Sequence, residues 1–456
     1  MLQHIDSLTH ELGHEQLLTA GNIGEKYQVD WSGENPNLPS LVVRPDSADV
    51  VSKLLKYCNE HKLAVVTQGG MTGLAGGATP RDAEIVLSME RLSGIIELDE
   101  QSMTMTVKSG TPLQVIQQAA EAAGLRLPLD LGARGSCQIG GNVATNAGGN
   151  QVLSFGMARA LVLGLEAVKA DGTIVSAHNK MLKNNAGYDL KQLFIGSEGT
   201  LGVITEVVLR LFPQPRSKHT ALVSLGSFDN VIKFLQVTQA GLARLTAFEV
   251  MWNDYFLRSI SEVESAANPF DQEYPFYILL ESENDSLDWF QQVLFEQLEN
   301  GVLLDAVIAQ SGKDSEQFWI IRDAIGELLS RIPDPANFDI GLPISRMQAF
   351  LEKAQSELQH HFADLQTITF GHLADGNIHM TAWTEDGNSS GAVYKLIYQL
   401  LQEFDGTVTA EHGIGVMKTD YLPLCRSPEE LALMRTLKQA LDPNNILNPG
   451  RVLGSE

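Results

Sequence analysis

Apolar positions along the chain change their period near residue 215. Before it, short β-rich runs at 64–67, 85–87 and 104–107 alternate with glycine turns and a few helical stretches, such as 112–123. The run Phe212-Pro-Gln-Pro215 breaks this pattern, because two prolines in four residues disfavour both helix and interior strand. After it, strands at 220–225 and 276–281 alternate with amphipathic helices at 228–238, 287–298 and 350–358, which predicts a sheet covered by helices on one side. A further helical stretch, 428–441, leads into a tail rich in turn residues. The pattern is α+β. It predicts a ligand-handling domain at 1–215, a second domain at 216–410, and a segment at 411–456 that returns to the first domain.

Composition narrows the function classes. The 456 residues, 44% of them apolar, suffice for two or three domains. A net charge of −24 repels phosphate backbones and anionic membrane surfaces, so no nucleic-acid partner is expected. Three cysteines without CxxC spacing exclude a disulfide scaffold and a thiolate zinc module, and fit a reducing compartment. The first residues, MLQHIDSLTHELGHE, lack the apolar core of a signal peptide, and no 18-residue apolar run follows. The expected location is the cytoplasm.

The 40 glycines crowd three regions. In QGGMTGLAGGATP (68–80), which follows an apolar strand, they clear the way for backbone N–H groups to converge on an anion such as a diphosphate. The spacing is neither that of a Rossmann turn nor that of a P-loop, and a plain surface turn has the same composition. A second run, DLGARGSCQIGGNVATNAGG (130–149), is polar yet almost uncharged and suits a planar, hydrogen-bonding ligand at close range. A third, GSEGTLGVITE (196–206), enters a strand at 203–211.

Side-chain chemistry collects later in the chain. In TFGHLADGNIHMT (369–381), Asp375-Gly376 predicts a type I′ hairpin. A two-residue turn there sets Ala374 opposite Asn377, Leu373 opposite Ile378 and His372 opposite His379, with Cβ atoms roughly 5 Å apart. At the end of a short β-like run stand Glu411 and His412, in TVTAEHGIG (407–415). Two histidines and a carboxylate make a divalent-metal site with open positions, although stacked histidines and a surface acid–histidine pair fit the same residues. Arg322 lies in the helical run EQFWIIRD (316–323), where it either snorkels or forms a carboxylate fork. Arg346 either binds a carboxylate or charges a helix start.

The phrases GGMTGLAGGA, GGNVATNAGG and GSEGTLGVIT together resemble the flavin-binding signature of the FAD-linked oxidases related to vanillyl-alcohol oxidase. Within that superfamily the chain resembles the D-2-hydroxyacid dehydrogenase branch, which includes D-lactate and D-2-hydroxyglutarate dehydrogenases and the glycolate oxidase flavin subunit. The resemblance covers nearly the whole chain and implies a split FAD-binding domain with an α+β cap. It implies FAD with the diphosphate held by Gly69, Gly70, Met71, Thr72 and Gly73, and because that loop offers no His or Cys near the expected ring attachment point, the link is expected to be non-covalent. Pro128, Leu131, Gly132, Ser136, Gly140, Gly141, Ala144, Thr145 and Gly148 would surround the rest of the cofactor, with Glu198, Gly199, Gly202, Ile204 and Asn448.

The motifs HLADGNIH and EHGIG resemble the metal and catalytic motifs of that branch. The resemblance makes His372, His379 and Glu411 ligands of a divalent metal, zinc by expectation, and His412 the base. The WxxR at 319–322 matches the arginine that grips the substrate carboxylate, with Arg346 a weaker candidate for the same task. Members that act on D-2-hydroxyglutarate resemble this chain but carry Thr, Lys and Asn where it has Gly326, Asn337 and Thr381, which keeps smaller, lactate-like acids open. The implied partners are a small 2-hydroxy acid and an electron acceptor (a quinone, an electron-transfer flavoprotein or a cytochrome), with homodimer formation left open. Two rivals remain: a flavin-binding electron-transfer subunit without its own substrate site, and a metal hydrolase, which leaves the glycine loops without a purpose.

Overall fold

The computed structural model describes residues 2–387 and 389–454. The chain divides into two units, one running to Gly149 and continuing with Phe155–Gln214 and from Glu411 onward, the other comprising Asn150–Ser154 and Pro215–Ala410.

The first unit holds β1 (Leu17–Thr19), β2 (Leu41–Val43), β3 (Val65–Gln68) and β4 (Ile85–Ser88) in a four-stranded sheet of order β1-β2-β4-β3. β4 pairs in parallel with β2 and β3, and its residues are buried throughout, as befits a strand covered on both faces. The helix Ala48–His61 presents Val51, Leu54, Leu55 and Cys58 at helical spacing to this sheet's core. Each of the two leucines contributes about 1.5–3 kcal/mol by leaving water, an upper estimate because unfolded chains are already compact. Lys62, in the left-handed region at φ 53°, ends that helix and turns the chain into β3.

The same unit contains β5 (Ile95–Asp99), β6 (Thr104–Lys108), β7 (Leu125–Arg126), β8 (Val162–Val168), β9 (Ile174–Ala177), β10 (Val203–Arg210) and β11 (Phe212–Pro213). Five of these form an antiparallel sheet of order β5-β6-β10-β8-β9, and β11 pairs with β7. Val168 and Val203 also belong to the core of the four-stranded sheet, so one hydrophobic cluster joins the two sheets. After the helix Pro428–Leu441, started by a Ser427/Glu430 capping box, the tail meets β3 through a parallel bridge between Leu447 and Val65.

The second unit is built on one antiparallel sheet of seven strands: β12 (Lys218–Leu225), β13 (Leu245–Trp252), β14 (Phe276–Glu283), β15 (Asp305–Ile308), β16 (Ala336–Gly341), β17 (Gln366–His372) and β18 (Asn377–Trp383). Their order is β15-β12-β14-β13-β17-β18-β16. The expectation of helices on one side is corrected. Helices Asn253–Glu262 and Gly312–Arg322 pack Tyr255, Phe256, Phe318 and Ile321 against Leu222, Met251, Tyr277, Leu279 and Phe370. On the opposite face, Phe234 of helix Phe228–Gly241 meets Phe248, and Phe290 of helix Leu287–Glu299 meets His219. The sequence carries the reason: LTAFEVMW and FYILLESE are nearly continuous apolar runs, buried along their length, rather than alternating ones.

Candidate active site

In the first unit the three glycine runs converge by backbone. A Cβ on Gly70 would lie 2.0 Å from the Ser136 carbonyl oxygen and 2.8 Å from Cys137 Cα, so only glycine lets the first loop touch the second. The second and third runs meet where the Gly196 and Glu198 N–H groups donate to the Val143 and Ala144 carbonyls, at the end of the short helix Ile139–Ala144. Asn448 closes the group: its Oδ1 accepts from Thr67 N–H at 2.9 Å, and its Nδ2 donates to the Glu198 carbonyl at 2.7 Å. Met71, Glu198 and Asn448 all take positive φ, a strained conformation for residues with side chains and one that clusters at ligand sites.

Gly69, Thr72 and Gly73 continue the first loop, while Pro128, Leu131 and Gly132 lead into the second. Gly140, Gly141, Ala144, Thr145 and Gly148 follow along and after the short helix. A Cβ on Gly132 or Gly141 would meet nothing within 4 Å, so both face open space. Gly199 lies against Asn448, and Gly202 lies against the Phe194 ring. Ile204 packs its side chain into the core, leaving only its backbone to a ligand. Among the described residues, the buried Gln68 Oε1, Gln138 Oε1 and Ser109 Oγ have no hydrogen-bond partner. Unpaired polar atoms beside a glycine cradle fit a large polar ligand with hydroxyl and ring N–H donors, as FAD is.

The EHGIG run belongs to this unit too. The predicted β-like run before it shrinks to a single bridge between Thr407 and Gly341, because the chain bends at Val408 and Ala410. Glu411 Oε1 accepts from Gly149 N–H at 3.0 Å, and His412 is half-buried. Glu198 holds the turn that follows, its two oxygens accepting from the Ile414 and Gly415 N–H groups, both at 2.7 Å. Burial of that carboxyl pushes its pKa up, against the two amides and the nearby Lys418. The Glu198 side chain thus positions the loop that carries His412, a role sequence reading did not give it.

In the second unit, side chains collect on the sheet face covered by helix Gly312–Arg322. The two-residue turn expected at Asp375-Gly376 is corrected. Leu373–Asp375 forms a 3₁₀ turn, only Gly376 takes positive φ, and Phe370, not His372, stands opposite His379. The register slips by two residues, which preserves the face because side chains alternate with period two. His372 and His379 therefore remain neighbours, with ring centroids 5.4 Å apart.

Each histidine faces a buried acid on the adjoining strand. β13 sets Glu249 opposite His372, and β16 sets Asp339 opposite His379. Glu249 Oε1 lies 2.8 Å from His372 Nδ1. Its Oε2 receives Arg322 Nε at 2.9 Å and Nη2 at 2.8 Å, while Arg322 Nη1 reaches Asp323 at 2.9 Å. Arg322, 8% exposed, is thus a buried carboxylate fork rather than a snorkelling side chain. Burial pushes the Glu249 pKa up, but the attraction of His372 and of the Arg322 guanidinium, both hydrogen-bonded to it, outweighs burial and brings it to about 2. For Arg322, burial works against the charge, yet Glu249, Asp323 and Tyr255 together raise its pKa.

Asp339 accepts from Asn377 Nδ2 and Thr409 Oγ1, both at 2.9 Å, and from the Ala410 N–H at 3.2 Å; its Oδ1 is 4.0 Å from His379 Nδ1. Two residues along the same strands, Thr381 donates to Asn337 at 2.9 Å. Gly326 lies in the short helix Ile325–Leu329, with nothing near where a Cβ would stand. Arg346, in the first turn of helix Ile344–His361, pairs with Asp405 at 2.7 Å on the surface. Sequence reading missed Glu249 and Asp339, although an acid inside an apolar strand, as in AFEVM and NFDIG, is a readable signal.

Residues 214–452 match the family of FAD linked oxidases, C-terminal domain, and residues 39–178 match the FAD binding domain family. A D-2-hydroxyglutarate dehydrogenase of Xanthomonas citri is 39% identical over 438 residues, covering 94% of this chain and 92% of its own. One from Stutzerimonas stutzeri is 35% identical and covers 99% of both chains; the mitochondrial enzyme of Bos taurus is 38% identical over 94% of this chain and 79% of its own. Among solved structures, p-cresol methylhydroxylase with substrate bound aligns at TM-score 0.79 with 15% identity, over 100% of this chain and 97% of that one. An alkyldihydroxyacetonephosphate synthase aligns at 0.76 with 17% identity, over 98% and 86%. These two show the fold, the FAD-binding type of vanillyl-alcohol oxidase with α+β architecture. The chain belongs to the FAD-linked oxidases and is an FAD-linked oxidoreductase.

Proposed function

We propose that the protein oxidises a D-2-hydroxy acid to the 2-oxo acid, with D-2-hydroxyglutarate the first substrate to test, and passes the electrons to an external acceptor such as a quinone, an electron-transfer flavoprotein or a cytochrome. The observation that carries the reading is near-full-length similarity, at 35–39% identity, to enzymes named for that acid. The Arg322–Glu249–His372 group, with His379 beside it, supports a site for an anionic substrate.

His372, His379 and Glu411 would hold a divalent cation, zinc in this reading; with Glu249 at His372 Nδ1, the ligating nitrogen would be Nε2, which the cation would take over from Arg322 Nη2 at 3.0 Å. Such a cation would supply Lewis acidity toward the substrate hydroxyl. The glycine cradle would hold FAD, which would supply hydride-accepting chemistry. Arg322, oriented by Glu249, binds the substrate carboxylate, and an imidazole nitrogen of His412 takes the hydroxyl proton. The flavin link is non-covalent: Cys137, the cysteine nearest the cradle, is buried, which raises its thiol pKa and favours the inert form. Cytoplasmic placement rests on the same free cysteines and reducing chemistry.

A second reading, oxidation of a smaller D-lactate-like acid, is favoured by the neutral Thr381–Asn337 pair, which offers no cation to a distal carboxylate. Anaerobic bleaching of the flavin by D-2-hydroxyglutarate, D-lactate, D-malate and glycolate separates the two. Fastest bleaching by D-2-hydroxyglutarate supports the first reading and fastest bleaching by D-lactate the second; no bleaching by any of the four removes both.

A further inference from the structure

Glu249 is a charged residue in the middle of an apolar strand and is 2% exposed. Such a position is costly unless every oxygen is satisfied by a charged or hydrogen-bonding partner. Here both oxygens are, by two different residues. Oε1 meets His372 Nδ1 at 2.8 Å, and Oε2 takes Arg322 Nε at 2.9 Å and Nη2 at 2.8 Å. The partners come from one strand, β17, and the last turn of one helix, Gly312–Arg322, so a single carboxylate ties both to β13.

We propose that Glu249 is a positioning residue for the hydroxy-acid site, setting the tautomer of His372 and the orientation of the Arg322 guanidinium at once. The inference rests on the metal-assisted reading above. A carboxylate only accepts, so His372 must donate from Nδ1, which puts the ring's lone pair on Nε2; Arg322 Nη2 donates there at 3.0 Å, and a bound cation would take the place of that N–H. The same carboxylate takes the Nε edge of Arg322, and with Nη1 on Asp323 and Nη2 also on His372 the guanidinium is held in a fixed plane, with the second Nη1 N–H left to meet a substrate carboxylate.

Glu249→Gln is the informative change because it keeps the shape. Its amide can still accept from Arg322, but it then presents N–H groups to His372 Nδ1, turning that nitrogen into the acceptor and placing the proton on Nε2. In the FAD-loaded protein, titration with Zn²⁺ and Co²⁺ against a competing chelator should show affinity lowered by about 10- to 100-fold. KM for the hydroxy acid should rise as Arg322 loses its orientation. Glu281 provides the control: it is also buried on this face, 3% exposed, and is held by Trp319, Thr220 and Lys218. Glu281→Gln should leave cation affinity unchanged.

A further measurement needs no Glu249 variant. Nitrogen-15 histidine spectra of metal-stripped wild-type protein, with the His372 signal assigned by its loss in His372→Asn, should show the Nδ1–H tautomer. An Nε2–H tautomer would overturn the proposal, as would wild-type affinity in Glu249→Gln or an equal loss in Glu281→Gln. Wild-type protein that is bleached by a hydroxy acid yet binds no divalent cation overturns the metal reading and the His372 half of the proposal together. If wild type both binds the cation and bleaches, the proposed function stands whichever way the Glu249 results fall.

Discussion

The two units assemble their candidate chemistry from different materials. The first works through backbone: its three glycine runs, drawn together by contacts such as Gly70 against Ser136, offer amides and bare Cα positions. The second works through side chains fixed on a sheet: Glu249, Arg322, His372, His379 and Asp339 come from four strands and a helix. Their acids reflect the difference. Glu198 in the first unit has its pKa pushed up by loss of water against two amides that favour its charge, whereas Glu249 in the second faces an imidazole and a guanidinium and is held near 2. A flat cofactor suits the first kind of surface, and a small anion that must be oriented suits the second.

The largest effect expected from this division is in His379→Ala. If the second unit handles substrate, the hydroxy-acid half-reaction should fall by about a thousandfold, while the flavin spectrum and FAD content stay at wild-type values. Stopped-flow reduction under anaerobic conditions measures the first, and absorbance of the purified protein the second. Full flavin reduction at the wild-type rate would remove His379 from the chemistry; lost flavin would mean that the units do not divide the work.

Gly70→Ala tests the other side. The added Cβ would overlap the Ser136 carbonyl oxygen at 2.0 Å, and both partners are backbone, which cannot swing aside. We expect about 1–3 kcal/mol of destabilisation, as for other overpacked sites, with most of the FAD lost on purification. Thermal denaturation and the flavin-to-protein absorbance ratio report the two effects. A fully flavinated Gly70→Ala protein would show that the first and second glycine runs need not touch.

The same contrast explains what could be read from sequence. Glycine runs announce themselves by composition, and long strands and helices by period; 220–225, 276–281 and 428–441 lie within or coincide with observed elements. The hairpin register did not follow, because a DG pair signals a two-residue turn while the chain uses a 3₁₀ turn from Leu373 to Asp375. The face survived that error, since a two-residue slip leaves alternation unchanged. The Glu249–Arg322–His372 group stayed hidden because its members are separated by 73 and 50 positions and meet only through sheet pairing and helix packing. No local spacing encodes that contact.

A smaller effect is expected at Glu198, where the first unit uses a side chain to support backbone. Glutamine keeps one acceptor oxygen, so one of the Ile414 and Gly415 amides loses its partner, at a cost of about 1 kcal/mol. The pH dependence has a definite sign. An acid whose folded pKa lies above its ordinary value of 4.5 contributes stability that is present below 4.5 and lost as pH rises through the raised folded value. The stability advantage of wild type over Glu198→Gln should therefore be greatest in mild acid and shrink toward neutral pH, as read from denaturant unfolding at several pH values. An advantage that grows with pH would mean that the amides and Lys418 outweigh burial.

The smallest effect belongs to Arg346, because the second unit places it apart in kind from Arg322. Arg322 is 8% exposed and forked on a buried acid, whereas the Arg346 and Asp405 side chains are 46% and 71% exposed. Exposed pairs of this sort contribute about 0–1 kcal/mol, since water screens the attraction and two long side chains lose freedom. Position within the first turn of its helix adds nothing favourable, because the positive end of the helix dipole lies there. Arg346→Ala should change KM for the hydroxy acid by less than about twofold and leave the thermal midpoint nearly unmoved. Arg322→Ala, by contrast, strips a buried acid of its cation and should raise KM sharply while lowering stability by about 3–5 kcal/mol. A large KM increase in Arg346→Ala at unchanged stability would return that residue to the carboxylate-binding role and divide substrate recognition between two arginines.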